Sequence, residues 1–510
     1  MIVRRNRWIL LGIALATATV VACDQAPRRT DATAAEFERY VDPPAVRSFP
    51  AGAATINGWI ASQDTVAVRQ HGWDLLESIT SALVGGTMEP VWETWYSGHE
   101  LFEMDTTAAA AAIGAANGDL SRLEIPRSRV RMRLESPLQF EHGRSAARQR
   151  IPEDRVGAAF SFNRYTASTA RQIYGRRLWD WKVLKALNDS FNTHNTPVAA
   201  RQVLVSKDST DSMSIVLKPV FQFIDGEVPS CIPYWAGDTP ATTDSSGMNP
   251  IAREWKQFVL VDPKGRIPGS LSPRGVQFAN CPDTGVVYPI VRLDRFYHRT
   301  LSQAMVDSFS VFSTISGDDL GQGDSATQSA IAAMIKPGNI GLLVAMHVTG
   351  KEIANWTWQS FWWSPTPNDS LGFDRPRTIR TPWNNYQMTT AYWMTSPPSA
   401  GAGGTPRVAY NPYLETSLTG TVDTVGGSSA PWYGPQTNCM SCHRMASWRN
   451  VPDTVSADSI VHGFTGPKFP YVPASYVDPG NAALLSGLTK TDFLWSLAIR
   501  TTGIPPYRRK

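Results

Sequence analysis

The chain has 510 residues, of which 42% are hydrophobic and 18% are charged. This composition excludes a disordered protein and is sufficient for a large buried core, in one elaborated domain or in two to three ordinary ones. The formal net charge is +4, and three of the positive charges lie in a leader that we expect to be removed. The remaining chain is nearly neutral, which argues against a nucleic-acid-binding protein.

Residues 1–22 have the pattern of an export signal. Three arginines precede an uncharged apolar stretch, residues 8–22, and Cys23 follows. This stretch is shorter than the roughly 20 residues that cross a membrane. Its ending, Val20-Val21-Ala22-Cys23, resembles a bacterial lipobox, which implies cleavage before Cys23 and lipid on its sulfur. A plain signal peptide or an uncleaved anchor is the alternative.

The residues after the leader predict an α+β protein with a helical N-terminal part, a β-rich middle and a small C-terminal part. We divide the chain into a polar tether, an α+β body and a C-terminal region, at residues 23–48, 49–396 and 407–510. Helices are predicted over residues 72–83, 91–103, 106–116, 326–335 and 483–500, with a long helix or helical pair over 164–194. Strands are predicted over residues 201–206, 212–224, 257–261, 286–292 and 340–349.

In the predicted strand 340–349, residues 340–348 are apolar except for His347. A polar ring in a buried strand needs a partner, which is either a hydrogen bond within the core or a metal ion. Side chains alternate along a strand, so Met346 and His347 are predicted to face opposite sides. The adjoining Lys351 and Glu352 are either a solvated turn or groups of a pocket.

Aromatic residues are concentrated directly after this strand, in Trp356, Trp358, Phe361, Trp362 and Trp363. Each such ring buries about 150–250 Å². The cluster predicts either a core layer, or the wall of a ligand pocket or a stacking platform.

The motif Cys439-Met440-Ser441-Cys442-His443 carries the most specific chemistry in the chain. Two thiols at this spacing can reach both vinyl groups of one porphyrin, and the adjacent histidine can then ligate the iron. The motif predicts one covalent haem c, attached through Cys439 and Cys442, with His443 as the proximal iron ligand. A zinc half-site would need a second half, and a thioredoxin-like redox pair would need a surrounding βαβ pattern; neither is found.

Two cysteines remain, Cys231 and Cys281. Thiols of an exported protein meet an oxidising compartment, so we predict a disulfide between them. Two free, distant thiols are the alternative.

The sixth iron ligand is not part of the motif, and no methionine follows Met445, which is too close to His443 to cross the ring. We rank His347 first, an open or water-bound position second and His462 third. The last candidates are methionines, namely Met346, Met388 and Met394. Paired histidines lower the potential, a methionine raises it, and an open position permits ligand binding or catalysis.

The motif, together with an export signal, resembles the c-type cytochromes. Further segments resemble a group of large bacterial proteins called cytochrome c family proteins: His71-Gly72-Trp73 and residues 90–96, 346–353, 356–363 and 438–444. The resemblance implies a single-haem lipoprotein. The motif departs from small cytochromes c because it lies late in the chain.

Two functions remain open. A membrane-tethered electron-transfer protein, working with a redox partner protein, is favoured by the single haem, the anchor and the nearly neutral charge. A haem enzyme of peroxidase or oxidase type, or a haem sensor, would use the large body as a pocket at an open iron position. A structural lipoprotein with a vestigial haem is a third possibility. In the favoured case the protein is anchored to a bacterial membrane and faces the periplasm or the exterior.

Overall fold

The computed structural model describes residues 40–82, 89–128, 132–134, 159–203, 205, 210–237, 255–311, 334–397, 405–415, 439–444, 446–448 and 486–499. The leader with Cys23, residues 326–333 of a predicted helix, and His462 lie outside these ranges. Within the described ranges, no helix combines the length and apolar character that a membrane span requires.

The described α-helices are α1 Ala53–Ser62, α2 Thr65–Ile79, α3 Gly98–Phe102, α4 Thr106–Ala116, α5 Ala167–Gly175, α6 Trp181–Thr193, α7 Gln303–Asp307, α8 Pro412–Glu415, α9 Cys439–His443 and α10 Trp495–Ile499. Short 3-10 helices occur at Val91–Thr94, Leu120–Arg122, Val198–Ala200, Leu293–Arg295 and Trp383–Asn385.

The described strands are β1 Tyr96–Ser97, β2 Met132–Leu134, β3 Ala159–Ser161, β4 Arg164–Tyr165, β5 Asp211–Ile224, β6 Ser230–Pro233, β7 Phe258–Val261, β8 Ile290–Val291, β9 His298–Thr300, β10 Phe309–Val311, β11 Ile340–Lys351, β12 Thr357–Trp363, β13 Tyr386–Thr390, β14 Thr395–Ser396, β15 Thr405–Pro406, β16 Ser447–Trp448 and β17 Thr489–Lys490. The helical N-terminal part and the β-rich middle confirm the predicted α+β class.

An antiparallel sheet forms the centre of the molecule, in the order β1-β4-β5-β11-β12-β13, with β3 also paired to β5 and β9 to β11. The central strand β11 is buried along nearly its whole length, which explains its continuous apolar sequence. Helix α2 packs on β13 so closely that a Cβ on Gly72 would lie 2.8 Å from Met388 Sδ. This contact explains the glycine in His71-Gly72-Trp73.

The predicted helices of the N-terminal part differ from the observed ones in extent, and α1 was not predicted. Helix 106–116 is confirmed as α4, and the prediction over 164–194 is confirmed as the pair α5 and α6. The helix predicted over 72–83 instead begins at Thr65, because the Asp64 side chain accepts from Ala67 N–H at 2.9 Å and caps it.

The helix predicted over 91–103 is wrong as a single element. A 3-10 turn, strand β1 and helix α3 share this segment. Ser97 and Glu100 form a capping box, which starts a new helix at Gly98.

Strands predicted over 212–224, 257–261 and 340–349 are confirmed as β5, β7 and β11. The strand predicted over 286–292 is reduced to β8, and the described part of 201–206 holds only an isolated bridge at Gln202. The final helix predicted over 483–500 is reduced, in the described part, to α10. Asp492 and Phe493 have φ values of 50° and 66°, which interrupt any helix there.

The described end of the predicted tether packs against the body. Val41 N–H donates to Thr94 Oγ1 at 3.0 Å, and Arg47 Nε donates to Asp74 Oδ1 at 2.7 Å. The predicted pair Cys231 and Cys281 is joined by a disulfide, with the Cα atoms 5.0 Å apart, beside the small sheet β6-β7-β8. This bridge ties strand β6 to the loop that precedes β8.

Candidate functional site around Cys439 and His443

The cysteine–histidine motif forms the single helical turn α9, which packs against the central sheet. The Cys439 side chain is buried, and Met440 belongs to the same apolar cluster. For Cys442 the structure describes the backbone alone. The cluster around Cys439 also holds Trp358 from β12 and Leu494, so this part of the predicted C-terminal region shares a core with the body.

The His443 ring has a defined orientation. Its Nδ1 lies 2.8 Å from the carbonyl oxygen of Phe493, and its ring centroid lies 4.5 Å from that of Trp358. A carbonyl can only accept, so Nδ1 carries the proton and Nε2 carries the lone pair in the neutral ring. Histidines that ligate metals are commonly oriented in this way by a hydrogen bond from the other ring nitrogen.

The turn that supplies this carbonyl is anchored by a buried ion pair. Lys351 Nζ lies 2.5 Å from Asp492 Oδ1, and the side chains are 0% and 3% exposed. Asp492 Oδ2 accepts from Val205 N–H at 2.8 Å. Burial lowers the pKa of Lys351, and the neighbouring Asp492 carboxylate opposes that shift. Lys351 is therefore buried, and the prediction that places it in a solvated turn is wrong.

His347 lies one side chain away from the motif. It stands directly opposite Ser360 in the β11–β12 register, and its Nδ1 is 2.5 Å from Ser360 Oγ. Ser360 Oγ is in turn 3.8 Å from Cys439 Sγ. Met346 is buried in the core and pairs with Phe361, which confirms that it faces the other side of the sheet.

The other candidate iron ligands differ in how close they lie to the cysteine motif. Met388 pairs with Phe361 and packs under Gly72, on the α2 side of the sheet. Met394 belongs to the same apolar cluster as Cys439. His462 lies outside the described residues. Among the side chains that the structure describes, no three or more His, Cys, Asp or Glu residues form a metal-binding group.

The aromatic cluster is a core layer, as one of the two predictions held. All five rings are buried. Trp356 lies before β12 with a φ of 64°, and it belongs to the same apolar cluster as Trp358. Trp358 lies in this core layer and also packs on the His443 ring.

A second polar cluster occupies the opposite face of β12. His71 Nε2 lies 3.1 Å from Glu352 Oε1, and His71 Nδ1 contacts the hydroxyl of Tyr392. Gln359 Nε2 donates to the same hydroxyl at 2.5 Å. Burial, followed by the charge of Glu352, holds the pKa of Tyr392 well above its usual value.

Sequence reasoning did not identify this cluster. No pattern in the sequence marks Tyr392, and the prediction for Glu352 is either a solvated turn or a pocket. The available signal was Gln359, a polar residue between aromatic residues in a strand, because a buried amide needs partners.

Comparison of the chain with protein-family models, with curated proteins and with solved structures finds no match.

Proposed function

We propose that this protein is an exported, lipid-anchored c-type cytochrome that carries one covalent haem c and transfers electrons. Cys439 and Cys442 would hold the haem, and His443 would be its proximal ligand. The observation that carries the proposal is the bond from His443 Nδ1 to the Phe493 carbonyl, because it directs the lone pair of Nε2 away from that carbonyl.

The described residues fit a haem in their chemistry. Cys439 supplies a thiol inside an apolar cluster, and His443 supplies an imidazole in the tautomer that ligates through Nε2. Trp358 packs on the imidazole and excludes water from that side. When bound, the haem supplies a one-electron couple, and these residues tune it through burial and hydrogen bonding.

Export and anchoring rest on the sequence of residues 1–23. The Cys231–Cys281 disulfide supports an oxidising compartment, where such bonds persist. The proposed partners are a bacterial membrane, through lipid on Cys23, and a redox partner protein. A Cys23→Ser variant is expected to move from the membrane fraction to the soluble one; retention in the membrane would overturn the lipid anchor.

We propose His347 as the sixth iron ligand. Its support is that Ser360 lies between His347 and Cys439, within 2.5 Å of the ring and 3.8 Å of the sulfur. Two histidine ligands would give a low-potential haem suited to electron transfer.

Covalent attachment is tested by expressing the full chain with the c-type maturation system and denaturing it. Haem is expected to stay with the wild-type polypeptide and to be lost from Cys439→Ala/Cys442→Ala. The double variant Cys231→Ala/Cys281→Ala is the matched control and is expected to keep its haem. Absence of covalent haem from the wild type would overturn the proposal.

Electron transfer is tested by spectra of the oxidised, reduced and carbon-monoxide-treated protein. A low-spin spectrum that carbon monoxide leaves unchanged supports it, and His347→Ala should then bind carbon monoxide. A wild-type spectrum that shifts with carbon monoxide would overturn the electron-transfer assignment in favour of a haem enzyme or sensor.

A further inference from the structure

We infer that Lys351 and Asp492 are positioning residues that set the reduction potential of the haem through the Phe493 carbonyl. This inference rests on the proposed function and assigns a role to two buried residues far from the cysteine motif in sequence.

The argument starts with the conformation of the turn. Asp492 and Phe493 both have positive φ, which is unfavourable for residues that carry a Cβ. Consecutive residues of this kind persist only where the surroundings hold them. The turn has no glycine at either position, so its shape depends on contacts made by the side chains.

Asp492 makes those contacts on three sides. Oδ1 accepts from Lys351 Nζ at 2.5 Å and from Trp356 Nε1 at 3.3 Å, and Oδ2 accepts from Val205 N–H at 2.8 Å. Lys351 also donates to the Ala354 carbonyl at 2.8 Å. Strand β11 is therefore joined to the turn by a buried ion pair with little freedom to move.

The next carbonyl along the turn is the acceptor for His443 Nδ1 at 2.8 Å. A strong hydrogen bond at this nitrogen makes the imidazole a more basic ligand, which favours oxidised over reduced iron. If the turn relaxes, the bond weakens and the potential rises. The ion pair would thus influence a bound haem through the Phe493 carbonyl and the His443 ring.

A direct charge effect makes a different prediction. Removal of the negative charge of Asp492 would raise the potential, and removal of the positive charge of Lys351 would lower it. If the ion pair acts by positioning the turn, the reduction potential rises when either Asp492 or Lys351 is replaced. The sign of the Lys351 effect therefore separates the two explanations.

The experiment is a spectroelectrochemical titration of the full-length holoprotein and of three variants, Asp492→Asn, Lys351→Met and the double variant. Asn tolerates positive φ, so the first variant keeps the turn residue and removes its charge. The double variant leaves the net charge unchanged and no unpaired buried ion, so it is expected to fold even where a single variant does not. All three are expected to raise the ratio of reduced to oxidised protein about tenfold at a fixed potential, a shift of about 59 mV.

Asp374→Asn is the matched control. Asp374 pairs with Arg69 and accepts from Trp73 Nε1 at 3.0 Å, so this variant breaks another partly buried ion pair without a contact to His443. It is expected to leave the potential unchanged.

Two results would overturn the inference: a lower potential in Lys351→Met, or an unchanged potential in the double variant. Covalent haem in the denatured wild type separates these results from a failure of the proposed function, which would leave no haem to titrate.

Discussion

The two faces of strand β12 carry different kinds of polar structure. On one face, Trp358 and Ser360 contact the ring of His443 and the sulfur of Cys439. On the other face, Thr357 and Gln359 bond to Glu352 and Tyr392. Both faces are buried, so burial of polar groups does not by itself distinguish a binding site from a structural network.

The two networks begin at consecutive residues. Lys351 extends to one side and pairs with Asp492, and Glu352 extends to the other and contacts His71. The Lys351 network ends at His443, whose Nε2 would ligate the iron in the proposed haem site. The Glu352 network joins groups of the protein core, because its carboxylate accepts from Ala51 N–H, Thr357 Oγ1 and His71. The first network is therefore expected to affect redox properties, and the second to affect stability.

The variant with the largest expected effect on stability is Glu352→Ala. The substitution leaves several buried donors without an acceptor, so we expect a loss of about 3–5 kcal/mol in the free energy of unfolding. The haem potential is expected to stay at the wild-type value. Denaturant unfolding followed by circular dichroism gives the first quantity and redox titration the second.

Glu77→Ala is the control for this loss. Glu77 pairs with Arg47, which is 40% exposed, and such a pair is expected to contribute less than about 1 kcal/mol. A shifted potential in Glu352→Ala would show that the two faces are coupled and would break the comparison.

Tyr392→Phe is the next test. We expect it to lower the free energy of unfolding by about 1–3 kcal/mol at neutral pH, because the hydroxyl bonds to both His71 and Gln359. The pH dependence of the free energy of unfolding tests Tyr392 more specifically than its value at neutral pH. Burial raises the pKa of Tyr392 well above the value of about 10 that an unfolded chain has, so above pH ~10 the unfolded state alone loses this proton.

Stability is then lost as the pH rises, by about 1.4 kcal/mol per pH unit for each such tyrosine. Tyr392→Phe is expected to reduce this alkaline slope by one tyrosine's share, measured by denaturant titration at several pH values. An unchanged slope would mean that Tyr392 ionises alike in the folded and unfolded states. Below pH ~10 the slopes of the two proteins should coincide.

Elements whose signals are local were predicted well. The Ala-rich helix α4 and the long strand β5 have local propensities that agree with their surroundings. The final helix was predicted over 483–500 because its apolar residues recur at helical spacing. The structure instead has a turn with positive φ at Asp492 and Phe493, and Asp492 pairs there with Lys351, more than 100 residues earlier. Patterns within a window cannot detect a partner at that distance.

The candidate site divides in the same way. The motif at Cys439 predicts haem attachment from its spacing alone, and His347 is conspicuous as a polar ring in an apolar strand. The sequence does not indicate the roles proposed for Lys351, Ser360 and Phe493, because they depend on where two side chains and one backbone carbonyl lie in the fold. Every residue carries a backbone carbonyl, so the residue type does not show which carbonyl accepts a hydrogen bond.

The smallest expected effect on stability is that of Ser360→Ala. Its hydroxyl joins His347 Nδ1 to the region of Cys439 Sγ, so its removal is expected to cost about 1 kcal/mol and to release the His347 ring from a fixed orientation. If His347 ligates the iron, the reduced protein should gain partial reactivity with carbon monoxide while the haem stays covalently attached.

Thr357→Val is the matched control, because it removes a hydroxyl from the same strand on the opposite face, where Thr357 Oγ1 donates to Glu352 at 3.1 Å. It should cost a similar amount and leave the spectrum unchanged. Equal spectra in the two variants would mean that Ser360 does not orient an iron ligand, and the distinction between the faces would then depend on the His443 contacts alone.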